Sequence, residues 1–193
     1  MRYAPEHNKE TRERILGAAS RLFREHGIAA VGLARIMAEA DLTVGTFYTH
    51  FKSKEVLVRE TLRRALQSRN ADLAQALRSG ELEVAIRAYL SPEHRDAPGI
   101  GCPTAALVSE VARHPRATRR TFASHTEESL QALAECLSTR RGKKVSRADA
   151  AAFLGLLVGT LQLARATADR AESGAILEAG VCAALRLADR TRD

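Results

Sequence analysis

The sequence predicts an all-α protein, and three observations carry that prediction. Apolar residues recur at i, i+3, i+4 and i+7 along most of the chain, the period of one helix face rather than of a strand. Alanine and leucine dominate the 45% of hydrophobic residues while aromatics are only 4%, a composition that favours helices. Proline is scarce, five in 193 residues. That length suffices for one or two small domains with real cores, and the hydrophobic content excludes a disordered tail protein.

Taken in order, a first helix is predicted from about Asn8 to His26, with Gly27 as its C-terminal stop. Lys9, Arg12 and Arg14 precede its apolar face, where its first turns would reach a nucleic-acid backbone. Leu33, Ile36, Met37 and Ala40 then give a second, short helix with one apolar face. Asp41-Leu42 follows as the turn, with Leu42 as an apolar plug. Thr43 is placed as the N-cap of a third helix, its hydroxyl accepting from an orphan backbone N–H. Phe47 and Phe51, four apart, point inward, which leaves Val44, Gly45, Thr46, Tyr48, Thr49 and His50 on the outer side.

Between Gly32 and Lys54 this reads as a helix-turn-helix whose second helix suits a DNA groove. Gly45 lets the backbone approach closely. Thr46 and Thr49 offer hydroxyls and methyls to base edges, and Val44 offers apolar contact alone. Tyr48 and His50 are polar-tipped rings that reach phosphates, contacts that set register without reading sequence. Ser53 is the expected N-cap of a fourth helix with Lys54 in its first turn. A lysine there opposes the helix dipole unless a docked phosphate partners it. Arg12 and Arg35 complete the expected DNA-contacting set. The plainer alternative is a tight helix pair of the kind found in many all-α domains.

These residues resemble the DNA-binding domain of the TetR family of bacterial transcriptional regulators. The resemblance runs from Thr11 to about Leu62, through Ile15-Leu16-x-Ala18-Ala19-x-x-Leu22-Phe23, Gly27 and Ile36-x-x-x-Ala40. It is densest over Thr43-x-Gly45-Thr46-Phe47-Tyr48-x-His50-Phe51-x-Ser53-Lys54-Glu55. Two departures stand out: Gly32 and Leu33 lie where the family usually carries Ser or Thr, and Val44 where it often carries lysine. Both remove polar contacts to DNA. The resemblance implies a helix-turn-helix domain at 1–55, a helical effector-binding and dimerisation domain at 56–193, and a fourth helix whose tilt resets the spacing of two DNA readers.

Charge fits a polyanionic partner. The chain carries a net +7, and its first 64 residues hold 12 Lys/Arg against 8 Asp/Glu. Its amino terminus is polar, without an apolar signal segment. The longest uncharged run, Ala150 to Ala164, is 15 residues, short of the roughly 18 that suggest a membrane span. Cys102, Cys136 and Cys182 have no metal-ligand spacing and leave one unpaired in any disulfide scheme. His94, His114 and His125 match no zinc signature. A cytoplasmic protein with no cofactor, no metal and no membrane partner is expected.

The fourth helix is predicted to run from Ser53 through Leu77 to a break at Ser79-Gly80. A short helix over about Glu81 to Ser91 precedes the breaker-rich stretch from Pro92 to Pro103. Pro103 reads as position N1 of the next helix, ending near His114-Pro115, with Cys102 near its N-cap. A long helix over about Arg116 to Ser138 leads to a polar loop, Arg140 to Lys144. Ser146 with Asp149 signals a capping box for a helix to about Thr167, and a last helix is expected from Ser173 to Ala188.

The last two helices are apolar on more than one face, which predicts a two-fold four-helix contact between protomers, with internal packing as the alternative. The interface set is Phe153, Leu156, Gly159, Leu163, Ile176, Val181 and Leu185. TetR-like proteins dimerise through these two helices. An effector pocket among the middle helices is expected to involve Tyr89, Leu107, Phe122, Leu130, Phe153 and Leu157, residues that an ordinary core would also use. Cys102, a thiol at a helix N-terminus near His94 and Arg95, is a candidate redox sensor, or else a small half-buried cap. The expected function is a homodimeric repressor that binds a palindromic operator in double-stranded DNA. A small-molecule effector, or thiol modification, would release it. An architectural DNA protein without an effector is the first rival. A small helical enzyme is the second, and no Gly-x-Ser-x-Gly elbow, phosphate-binding glycine loop or His-Glu-x-x-His motif supports it.

Overall fold

Each helix of the computed structural model, which describes residues 5–78 and 80–190, starts and stops for a local reason. The order is α1 (Pro5–His26), α2 (Leu33–Glu39), α3 (Val44–His50), α4 (Lys54–Arg78) and α5 (Leu82–Tyr89). It continues with α6 (Pro92–Asp96), α7 (Pro103–Val111), α8 (Arg116–Arg141), α9 (Arg147–Ala166) and α10 (Arg170–Asp189). No strand occurs among the described residues. Side-chain oxygens cap four helices: Ser53 accepts from Val56 N–H, Ser91 from His94, Ser146 from Asp149 and Asp169 from Glu172. Gly27 and Gly142 close α1 and α8 with positive φ, and Asp41 turns the chain between α2 and α3 at φ 55°.

Several boundaries differ from the sequence reading. The last helix begins at Arg170 because Asp169 supplies its cap, while Ser173 is buried and donates to the Ala164 carbonyl at 2.6 Å. Arg140 and Arg141 extend α8 rather than opening a loop, since both reach α10: Arg140 pairs with Asp189, and Arg141 donates to the Leu187 and Ala188 carbonyls. The breaker-rich stretch contains α6, whose Arg95 is buried against Ser173 and Asp96. The expected break at Ser79 lies outside the described residues.

Two apolar clusters organise the chain. The first gathers Ile15, Phe23, Ile36, Met37, Phe47, Phe51, Leu57 and Leu62 from α1 to α4, and recruits Leu107 and Val111 of α7. The second gathers Leu82, Ile86, Tyr89, Leu133, Leu137, Phe153, Leu161, Leu177 and Val181 from α5 and α8 to α10. Helix α4 crosses the expected boundary at residue 55, since Leu57, Val58, Leu62 and Leu66 all belong to the first core. By length and composition α9 is apolar enough to cross a membrane, yet it packs on α7, α8 and α10 within the helical body.

The interface set divides in two. Phe153 and Val181 are buried in the chain's own core, 1% and 2% exposed. The broad apolar surface of α9 is thus partly explained by internal packing on two sides. What remains outward on α9 is Ala148, Ala152, Gly155, Gly159, Leu163 and Ala166, with Leu163 63% exposed. Leu156, Ile176 and Leu185 are half-buried beside the core.

The α9–α10 contact leaves no room at Gly180, where a Cβ would overlap the buried Thr160 side chain. Thr160 is β-branched and cannot swing away cheaply in a helix. Gly180→Ala is expected to lower stability by about 1–3 kcal/mol. Gly174→Ala on the same helix, with nothing within 4 Å, is expected to be neutral or mildly stabilising. Thermal unfolding of the two variants checks this.

Candidate functional site

The outer face of α3 is open and its inner face is fixed. Phe47 is fully buried and stacks on Phe51, with ring centroids 5.6 Å apart. Because these two rings hold one side, Thr43, Val44, Gly45, Tyr48 and Thr49 face outward, and Tyr48 is 64% exposed. Thr43 occupies the N-cap position, but its hydroxyl meets the Thr46 hydroxyl at 3.1 Å instead of a backbone N–H. Thr49 donates to the Thr46 carbonyl at 2.7 Å. His50 is half-buried, and its pKa is lowered by burial and then by the Arg12 charge.

The reader is tied to the helical body at the loop between α1 and α2. Glu110 of α7 accepts from the Ile28 and Ala29 N–H groups at 3.1 and 2.9 Å. Lys54 of α4 donates to the Ile28 carbonyl at 2.7 Å. Gly27 is required twice over: its φ is +85°, and a Cβ there would sit 2.6 Å from the Glu110 carboxylate. Glu55 adds a second tie, accepting from Thr118 at 2.6 Å and lying 3.0 Å from His114, so α4 is pinned to α8.

A cavity of about 400 Å³ opens between α4, α5, α8 and α9. Leu73, Leu77, Leu82, Ile86, Leu133, Phe153 and Leu157 line its apolar part, and Arg69, Tyr89 and His94 its polar end. The Tyr89 hydroxyl is buried without a hydrogen-bond partner. Burial, and then the neighbouring Cys102 thiol, push its pKa well up. His94 bridges α5 to the start of α7. Its Nε2 accepts from the Cys102 N–H at 2.9 Å, so Nδ1 carries the proton and donates to the Tyr89 carbonyl at 2.6 Å. Gly101 admits that ring, since a Cβ would lie 2.7 Å from it. Arg24 of α1 donates to the Gly101 carbonyl at 2.8 Å, which links this corner to the reader.

Residues 15–61 match the family model described as bacterial regulatory proteins, tetR family. Residues 15–61 thus form a TetR-family DNA-binding domain. Over 72 residues it is 32% identical to the HTH-type transcriptional repressor NemR of Escherichia coli (strain K12), covering 37% of this chain and 36% of NemR. Over 49 residues it is 45% identical to YerO, an HTH-type transcriptional regulator of Bacillus subtilis (strain 168), covering 25% of this chain and 17% of YerO. These matches span a minor part of either relative. The whole fold is similar to the reduced form of E. coli NemR, with a TM-score of 0.75 at 24% identity over 91% of this chain and 95% of that one. It is also similar to SCO4454, a TetR-family transcriptional regulator from Streptomyces coelicolor, with a TM-score of 0.68 at 28% identity over 94% and 97%.

Within the TetR-family domain, two expected DNA contacts are spent internally. Arg12 donates to the His50 carbonyl at 2.9 Å, pairs with Glu60 and lies over the Phe51 ring, so it clamps α3 to α1 and α4. Lys54 holds the α1–α2 loop rather than waiting for a phosphate. Arg35 is exposed and touches His26 at 2.7 Å. Of the expected pocket residues, Tyr89, Phe153 and Leu157 line the cavity. Leu107 and Phe122 belong to the reader's core, and Leu130 packs in the body core away from the cavity. Cys102 is buried at the N-cap of α7 without a capping bond from its side chain. The sequence reading missed Arg69, which lines the cavity, and Glu110, which works across 82 residues and gave no local signal.

His94 generates a pH dependence. Its folded pKa is lowered mainly by burial, with Arg69 and Arg165 adding to the effect and the bond to the Tyr89 carbonyl opposing it. The unfolded chain, titrating near about 6.5, therefore binds more protons below that pH, and stability falls on acidification. The stability gap between wild type and His94→Gln is expected to shrink from pH 7.5 to 5.5. Denaturant titrations across that range check it, and a constant gap would contradict the assignment.

Proposed function

We propose that the chain is a cytoplasmic homodimeric repressor that binds a palindromic operator in double-stranded DNA. It leaves the operator when a small molecule occupies the cavity. The observation that carries this reading is the sharing of elements between cavity and reader. Helix α4 lines the cavity through Arg69 and Leu73 and enters the reader core through Leu57, Leu62 and Leu66. Helix α7 starts at the His94–Cys102 corner and ends at Glu110 on the α1–α2 loop. A ligand that moves either helix moves α3. Repression is supported by the likeness to NemR, a transcriptional repressor. The outward stripe of small residues and Leu163 on α9 supports pairing of two protomers, with Leu156, Gly159, Ile176 and Leu185 at or beside the seam. Two copies would then present two α3 helices to successive major grooves.

Thiol modification is a second trigger. Cys102 is supported by its place at the start of α7 beside Tyr89, with Arg24 and Arg165 nearby. Because the thiol is buried, an adduct would displace α7. Cys102→Ser is expected to keep ligand-driven release and lose any response to oxidants or electrophiles. Catalysis has no part in this reading.

Operator binding followed by fluorescence anisotropy tests the core of the reading. Tyr48→Phe, which removes one neutral phosphate contact, is expected to weaken binding about five-fold. Its salt dependence should not change, since no charge is lost. Leu163→Glu should give monomers in sedimentation and a loss of operator affinity of about a hundred-fold or more. Binding indifferent to DNA sequence, or a Leu163→Glu chain that remains a tight operator-binding dimer, would overturn it.

A further inference from the structure

The hydrogen-bonding capacity of the cavity points to the class of its ligand. At the polar end, the groups still free to bond are a guanidinium, which only donates, and a phenol hydroxyl, which donates and accepts. Arg69 is half-buried and makes no hydrogen bond or ion pair among the described residues; its guanidinium carbon lies 5.6 Å from the Tyr89 ring centre. The Tyr89 hydroxyl is 8% exposed by residue and has no partner. A buried hydroxyl in that state is costly to leave unpaired. The neighbouring acceptors are weak or taken: the Cys102 sulfur is a poor acceptor, and the His94 ring has both nitrogens committed to backbone groups. Ser91 accepts from the His94 N–H. Arg165, fixed on the His94 and Arg95 carbonyls, adds positive potential at the same end. Asp72 and Glu93 also border the cavity, but both are exposed, where water screens them.

The rest of the wall is hydrocarbon: Leu73, Leu77, Ile86, Leu133, Phe153 and Leu157. We propose that the cavity takes a small amphipathic carboxylic acid, bound as its carboxylate by Arg69 and the Tyr89 hydroxyl with its hydrocarbon part against these side chains. The proposal rests on the operator-release function given above and names the effector class for it. A carboxylate supplies acceptors only. One oxygen pair matches the fork of a guanidinium, and a remaining lone pair takes the phenol proton. An amide of the same shape would offer Arg69 one acceptor and an opposing N–H, and an amine would bring a like charge. Since Arg69 sits on α4, ligand binding draws directly on the helix that carries the reader.

Isothermal titration of the DNA-free protein tests this with straight-chain alkanoates of six to twelve carbons, each beside the amide and the amine of equal length. At least one alkanoate is expected to bind ten-fold or more tightly than its amide, with the amine weakest. Arg69→Gln is expected to erase the preference of acid over amide. Tyr89→Phe should weaken the acid several-fold, with unfolding curves confirming that both variants fold. Amide or amine binding as tightly as the acid, an undiminished preference in Arg69→Gln, or no alkanoate binding at millimolar concentration would each overturn the proposal. Operator anisotropy in parallel separates the two readings. An acid that binds through Arg69 without releasing DNA leaves the ligand class standing and removes the release function. Release by a cation or neutral molecule, with no acid binding, does the reverse.

Discussion

The backbone of one residue, Ile28, is held from both sides, and the relation of the reader to the body depends on it. Its N–H and that of Ala29 meet the Glu110 carboxylate of α7, and its carbonyl meets Lys54 of α4. Both contacts involve a charged partner, and such bonds contribute roughly 1.5–3 kcal/mol when shielded. These bonds run from half-buried to exposed, so the lower end applies. The loop has no helix or sheet to satisfy its backbone, so its place is set by the two helices that reach it. Gly27 is the local condition for this tie, through its left-handed backbone and its missing Cβ.

Helix α4 borders the cavity and α7 starts just past its lining residue Gly101, so in the proposed function communication would run through rigid elements rather than a diffuse path. At its amino end α7 is held by His94 and by Arg24 through Gly101. Further along, Leu107 and Val111 are part of the reader's core. A ligand shifts the reader only so far as it binds one arrangement of α4 and α7 better than another. Arg69 and the Cys102 corner are where such a difference in affinity would be created. In the proposed function, pairing of protomers through the outward stripe of α9 and response to ligand would draw on different surfaces.

Helix periodicity made the architecture legible, because each helix buries one face and the apolar spacing records it. Phe47 and Phe51 alone oriented α3, and the structure keeps that orientation. Charged residues were the weak point. Arg12 and Lys54 stand beside the reader in sequence, and nothing local distinguishes a guanidinium aimed at phosphate from one lying over a ring and bonded to a carbonyl. Apolar residues carry the converse ambiguity. Phe153 suits a pocket, an interface or a core, and only tertiary packing put it at the cavity wall rather than at the seam. Helix starts were readable where the cap is Ser146. The start of α10 was not, because Ser173 imitates a cap and Asp169 provides it.

Amide hydrogen exchange at Ile28 and Ala29, resolved by NMR in wild type and in Glu110→Gln, tests most directly whether the body holds the reader through this loop. The expected result is exchange at both amides nearly as slow as in the buried turns of α1, accelerated about ten-fold or more in the variant, where one charge-assisted bond is lost. The amides of Ile15 to Phe23 should be unchanged. Exchange at loop-like rates in the wild type, or protection that survives Glu110→Gln, would contradict it.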